Sequence, residues 1–346
     1  MKAAIVSKQG SPVAPNIKVI CDWAPPVSSA APCSPGHVVI RTEASALNQL
    51  DLWVGRGVPG MDLTYPRISG SDGVGIVEAL GPGVDSSWLN KRVILNAAVS
   101  VPESAKPGVE SSPDIRMIGE HDHGTNAERF MAPISNLLDI GSADPVEAAA
   151  FGLVHLTAWR MLVSRARIRH GQSVLITGIG GGVALAALNI ARHFCCTIIV
   201  TSRSKEKLER AKSLGAHHCV LDTGADWSRE VRSLTGKRGV DICVDSIGTP
   251  VHLACIKSLA RGGTFVTCGT TAGNDPPTDL ARVFWNQLSI LGSTMGDMHE
   301  FREVVSLFTA GNMKPVIDQV FPADRAAEAF ARLESAQQFG KIVIRW

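Results

Sequence analysis

The chain has 346 residues, 45% hydrophobic and 19% charged. At about 150 residues per domain this predicts two folded domains with sizeable cores and excludes a disordered, collagenous or coiled-coil chain. The 34 Lys and Arg against 32 Asp and Glu leave a formal net charge of +2, too weak a field for nucleic-acid binding, so the expected partner is a small molecule.

The opening MKAAIVSKQGSPV lacks the apolar region of a signal peptide. No apolar run is read as reaching the roughly 20 residues of a membrane span, so a cytoplasmic protein with no membrane partner is expected. Residues 1–140 carry short β-like runs, AAIV, HVVIRTEA, GVGIVEAL and RVILNAAV, broken by Gly and Pro. The stretch Asn96–Asp114 is dense in Ser, Pro, Glu and Lys without a hydrophobic period and predicts an exposed loop.

From Pro145 the pattern changes. EAAAFGLVHLTAWRMLV has helical spacing, SVLITG reads as a strand, and VALAALNIARHF reads as an amphipathic helix. Strands TIIVTS, HHCVLD, VDICVDS, GTFVTCG and QLSILGS then follow, interspersed with the helical stretches KEKLERAKSLGA, DWSREVRSLTG and VHLACIKSLA. This βα repetition predicts an α/β fold with a doubly wound parallel sheet. The tail adds helix EFREVVSLFTAG, strand VIDQVF, helix RAAEAFARLESA and strand KIVIRW. So short a last strand needs a sheet, and the β-rich N-terminal half offers one. The expected organisation is a substrate domain of residues 1–140 and 300–346 around a coenzyme domain of 141–299. The eight cysteines contain no CxxC pair and mostly occupy apolar stretches, which reads as structural thiols.

Gly178, Gly180, Gly181 and Gly182, with Val183 beside them, stand between a predicted strand and a predicted helix. Glycines there let the backbone turn tightly and approach a pyrophosphate, whose charge meets free amides and the positive end of the helix. Ala184 replaces the last Gly of a GxGxxG pattern, at a position that governs helix-to-sheet packing. At the end of the second strand, VTSRSKEK places Ser202, Arg203 and Lys207 with no acid before Glu206. A hydroxyl, a guanidinium and an ammonium suit a 2′-phosphate, so NADP(H) is the expected cofactor; ordinary surface charge is the competing reading. The GEHDHG segment gathers Glu120, His121, Asp122 and His123, which reads as a hydrogen-bonded turn in preference to a metal site.

Taken together, ASALNQLDLWVGRG, YPRISGSDGVGIVEALGPGV, GLVHLTAWRML, VLITGIGGGVALAALNIA, LSILGSTMG and GKIVI resemble the medium-chain dehydrogenase/reductase superfamily, especially its quinone oxidoreductase and enoyl reductase branch. The resemblance implies a GroES-like β-rich catalytic domain, a Rossmann coenzyme domain inserted into it, and an active site in the cleft between them. Where zinc-dependent members place catalytic ligands, this chain has Asn48, Ser71 with Asp72, and Leu153, and the structural-zinc lobe corresponds to the cysteine-free stretch Asn96–Asp114. Leu cannot bind zinc, and Asn and Ser are poor ligands, so no metal is expected.

The resemblance further implies that Asn48 and Thr157 lie near nicotinamide or substrate, with Asn48 donating from its amide; structural hydrogen bonding is the alternative for each. Tyr65, the single tyrosine, is a candidate proton donor or a packing residue. Asp51 follows the Asn at the family's position, where it serves the chemistry or organises the turn. Ser246 and Ile247, then Cys268, Gly269 and Thr270, then Ser293, Thr294 and Met295 are expected beside the cofactor. Lys341 is either a phosphate contact or a solvated strand-start lysine. Pocket shape is assigned to loops around Trp53, Met61, Trp285 and Met295, which are equally readable as core.

These expectations combine into an NADPH-dependent, zinc-independent reductase of quinones or conjugated enones. Alcohol–ketone chemistry and a non-catalytic NADPH-binding protein are the alternatives. QLSILGS resembles the edge strand through which relatives dimerise, so a homodimer is expected.

Overall fold

The computed structural model describes residues 1–26, 33–101 and 114–346. The chain divides into two compact units, Met1–Leu153 with Asp297–Trp346, and Val154–Gly296.

The first unit opens with β1 (Ala3–Val6), β2 (Ile17–Ile20), β3 (His37–Ala46), α1 (Gln49–Arg56), β4 (Arg67–Ile68), β5 (Asp72–Leu80) and β6 (Arg92–Leu95). It continues with β7 (Ala98–Val101), β8 (Asp114–Met117), β9 (Arg129–Pro133), β10 (Leu137–Asp139) and α2 (Pro145–Trp159), which straddles the division. The ten-residue β3 organises this unit, pairing antiparallel with β5 and β9.

The second unit contains β11 (Ser173–Ile176), α3 (Gly182–His193), β12 (Thr197–Ser202), α4 (Lys205–Ser213), β13 (His218–Leu221) and α5 (Ser228–Leu234). It is completed by β14 (Val240–Asp245), α6 (Thr249–Ser258), β15 (Leu259–Thr267), α7 (Leu280–Trp285) and β16 (Ser289–Gly292). Its six strands run in the order β13-β12-β11-β14-β15-β16, every neighbour parallel. This is the Rossmann arrangement, in which ligands bind outside the carboxyl ends of the strands. Strands β11, β12 and β14 bury Val174, Leu175, Ile198, Ile199, Ile242 and Val244 to 2% exposure or less, which is why they read as apolar runs and not as alternating ones.

The chain returns to the first unit through α8 (Met298–Thr309), β17 (Ile317–Pro322), α9 (Ala326–Glu334) and β18 (Lys341–Arg345). Strand β18 pairs parallel with β17 and antiparallel with β3, so the last strand completes a sheet whose other strands come largely from the N-terminal half of the chain. On α9, Ala326, Ala329, Phe330 and Leu333 form a buried stripe at helical spacing, packed with Leu47, Leu52, Phe321 and Ile342.

Two expectations are corrected and a third is qualified. The ends of Asn96–Asp114 are strands, because β7 pairs antiparallel with β8 through Val101 and Asp114. Four-residue strands are too short to show a period in sequence, and the interior, 102–113, lies outside the described residues. Pro145–Arg165 is a helical run of 21 residues with the length and apolarity of a membrane span, although none was expected. Some 78% of its most apolar window is buried inside the protein, so that apolarity serves internal packing. Among the cysteines, which read mostly as structural thiols in apolar stretches, Cys196, Cys243 and Cys255 are buried, but Cys21 and Cys195 are exposed.

Candidate active and coenzyme sites

In the second unit, the glycine loop joins β11 to α3. Gly178 (φ 61°) and Gly180 (φ 120°) adopt left-handed backbone that favours glycine. A Cβ on Gly178 would lie 2.8 Å from the Ile247 side chain, whereas one on Gly181 would meet nothing closer than the Gly178 carbonyl at 3.9 Å. Open space therefore faces the start of α3, whose N-cap, Gly181, provides no side-chain cap and whose first turn, from Gly182 and Val183, has no acid. A helix start left bare in this way is a cradle for a phosphate, and the residues fit a dinucleotide.

The other expected contacts of this unit follow the same edge of the sheet. Ser202 ends β12, its hydroxyl accepting from the Ser204 amide, and Ser204 in turn caps α4 by accepting from the Lys207 amide. Arg203 lies exposed between them. Ser246 and Ile247 follow β14; Cys268, Gly269 and Thr270 follow β15; Ser293, Thr294 and Met295 follow β16. Burial pushes the Cys268 thiol up to about 12, which makes it a packing group and not a nucleophile. The Thr157 hydroxyl donates to the Met295 sulfur at 3.8 Å, so those two candidates meet within the unit, and Met295 holds φ at 48°.

A residue not anticipated as a site, Asp245, organises this edge. Its carboxylate accepts from the Thr177 hydroxyl and from the amides of Ile247 and Gly248, which shapes the loop that carries Ser246 and Ile247. Burial raises its pKa, and these hydrogen bonds oppose the rise. An Asp closing the apolar ICV at the end of β14 was the available signal.

In the first unit, Asn48 and Lys341 converge on Asp72, and Asp51 caps the helix start beside them. Lys341, only 4% exposed, donates from its ammonium to the Leu47 carbonyl (2.8 Å), Asn48 Oδ1 (2.6 Å) and Asp72 Oδ2 (2.9 Å). All three of its protons are engaged, which corrects both the phosphate-contact and the solvated-lysine readings. Asn48 Nδ2 donates to Asp72 Oδ2 at 2.9 Å and, at a longer 3.4 Å, to the Ala46 carbonyl; the second proton is the more weakly held. Asp72 Oδ1 accepts from the Leu153 amide at 2.7 Å.

Asp51 accepts from the Asn48 amide in a capping box that starts α1, and from Asn126 Nδ2 at 3.3 Å. Burial raises its pKa to about 6, against the Asn48 amide and the Lys341 charge, which oppose the rise. Tyr65 packs on the Leu47, Leu52 and Phe330 cluster and donates its phenol proton to the Val54 carbonyl at 2.5 Å, which favours the packing reading over a proton donor.

The zinc positions implied by resemblance do not fit that metal. Leu153 has no side-chain donor atom, Ser71 gives its hydroxyl proton to the Ile118 carbonyl, and Asn48 and Asp72 are already bound to an ammonium. In the GEHDHG turn, His121 and His123 accept from the amides of Met117 and Ile68, and Asp122 pairs with Arg116. No group of three or more His, Cys, Asp or Glu with metal-holding geometry occurs among the described residues.

Residues 34–142 match the family described as Alcohol dehydrogenase GroES-like domain, and residues 182–310 that described as Zinc-binding dehydrogenase. The zinc-type alcohol dehydrogenase-like protein YogA of Leptosphaeria maculans is 31% identical, with 92% of each chain covered. The quinone oxidoreductase of Rattus norvegicus is 26% identical over 89% of this chain and 88% of its own. A crystal structure described as an NAD-dependent alcohol dehydrogenase is 37% identical, with a TM-score of 0.90 and full coverage of both chains. With its GroES-like and Rossmann domains and its open glycine cradle, the chain belongs to the medium-chain dehydrogenase/reductase superfamily, a family of nicotinamide-dependent oxidoreductases.

Proposed function

We propose that this protein is an NADPH-dependent reductase that transfers hydride to a quinone or an α,β-unsaturated carbonyl without zinc. The carrying observation is that Asn48 and Asp72, standing where zinc-dependent relatives place ligands, are held by the ammonium of Lys341. A conjugated acceptor suits such a site, because its carbonyl spreads the arriving charge and needs less electrophilic help than an isolated ketone.

When bound, the nicotinamide cofactor supplies the hydride. Gly178, Gly180, Gly181 and the start of α3 hold the pyrophosphate, while Ser202, Arg203 and Lys207 receive the 2′-phosphate. Lys341 polarises the Asn48 amide through its oxygen, and the weakly held Nδ2 proton is the donor offered to a substrate oxygen.

Purified protein is to be assayed for NADPH consumption with a quinone, an enone and a saturated ketone, before and after chelation. Turnover of the first two, unchanged by chelator, supports the reading; turnover of the ketone alone sinks it. Fluorescence titration in which NADH binds as tightly as NADPH removes the cofactor assignment. A second reading, NAD-dependent alcohol–ketone chemistry, is favoured by the 37% identical structure described as an NAD-dependent alcohol dehydrogenase. Tight NADPH binding without oxidation by any acceptor favours a non-catalytic role.

A further inference from the structure

The first unit contains a cavity of about 370 Å³ whose lining includes Thr64, Arg67, Arg116, His121, Asp122 and His123. That volume is within the range of small-ligand sites, roughly 300–1,000 Å³. Nothing in the proposed hydride transfer uses it.

Arg67 is 6% exposed and donates from Nη2 to the carbonyls of Glu120 and Asp122, both neutral acceptors. Its Nε is buried without a partner, and no carboxylate pairs with this guanidinium among the described residues. A buried cation with no carboxylate in ion-pair contact is costly, and burial lowers the Arg67 pKa although the Asp122 and Glu120 carboxylates act against the fall. The neighbouring charges remedy this only in part, because Glu120 and Asp122 act on Arg67 without forming an ion pair with it. Asp122 gives both oxygens to Arg116 at 2.6 and 2.7 Å, and Asp62, also on the lining, is exposed to solvent.

The two histidines add donors of fixed sense. The Met117 amide donates to His121 Nδ1 at 3.0 Å and the Ile68 amide to His123 Nδ1 at 3.2 Å. With Nδ1 accepting, the ring proton of each lies on Nε2, as an N–H donor.

We propose that this cavity binds a small carboxylate, whose negative charge neutralises Arg67 and whose oxygens accept from Nε2 of His121 or His123. Asp62 and Asp122 on the same lining oppose a dianion and so favour a monoanionic carboxylate over phosphate. The proposal is independent of the assigned redox chemistry.

Thermal-shift and calorimetric titrations of the full chain with acetate, benzoate and inorganic phosphate, at constant ionic strength, test it. The expected result is a saturable rise in Tm with the carboxylates, weaker with phosphate, and weakened at least tenfold in Arg67→Gln. If Arg67→Gln does not fold, Thr64→Trp decides, because Thr64 is an exposed lining residue where the indole fills the cavity. Absence of a saturable shift, an undiminished shift in the variant that folds, or tighter binding of phosphate than of either carboxylate overturns the proposal.

Discussion

Replacing Lys341 by Met leaves the Asp72 carboxylate, 1% exposed, without its counter-charge. Breaking a buried pair in this way costs about 3–5 kcal/mol, so Lys341→Met is expected to lower the urea midpoint by that equivalent at unchanged slope. Asp51 acts in the opposite sense. Its folded-state pKa of about 6 lies above the ordinary 3.8, so its contribution is fully present below pH 4 and is lost as the pH rises through 6. At about 1.36 kcal/mol per unit this amounts to roughly 3 kcal/mol, and Asp51→Asn, which keeps an acceptor for the Asn48 amide, is expected to flatten the stability profile between pH 4 and 6. Tyr65→Phe loses a single hydrogen bond to Val54, about 1 kcal/mol, with kcat on every accepted substrate within twofold of the parent. The tyrosine and the aspartate were visible in sequence as candidates, but their partners were not. Lys341 read as a phosphate contact or a solvated lysine because the carboxylate that buries it lies 269 positions away.

At the scale of elements, the βα alternation was legible because β11, β12 and β14 are short strands with apolar centres (VLI, IIV and ICV) while α3, with seven buried residues, repeats at helical spacing. Helix α7 escaped notice since its six residues bury none of their side chains, with Leu280, Phe284 and Trp285 about 70% exposed. Trp285 is accordingly neither core nor enclosed pocket wall within this chain. Under the proposed function the β12–α4 junction would set the cofactor preference: Arg203 is exposed at the strand's carboxyl end, and Ser204 caps the helix that follows. Arg203→Glu places a carboxylate where the 2′-phosphate is proposed to bind. It is expected to lower kcat/KM for NADPH at least tenfold relative to NADH, measured at one fixed acceptor concentration.

For the whole molecule, β16 is the edge of the second unit's sheet, and Ile290 on it is 43% exposed. We propose that a second copy covers this edge together with Phe284 and Trp285, in a two-fold assembly. Light scattering at micromolar concentration is expected to report a dimer for the parent and a monomer for Ile290→Asp; a monomeric parent contradicts the assembly. The last strand, β18, has a different consequence, for synthesis. Chain elongation at about 5–20 residues per second separates Asp72 from Lys341 by tens of seconds on the ribosome. Throughout that interval the nascent β3 edge has no β18, and the carboxylate destined for the interior has no cation to meet it. The first unit therefore closes last, after the second has been translated in full, and premature chain termination anywhere before residue 341 yields a product whose Asn48–Asp72–Lys341 cluster was never assembled.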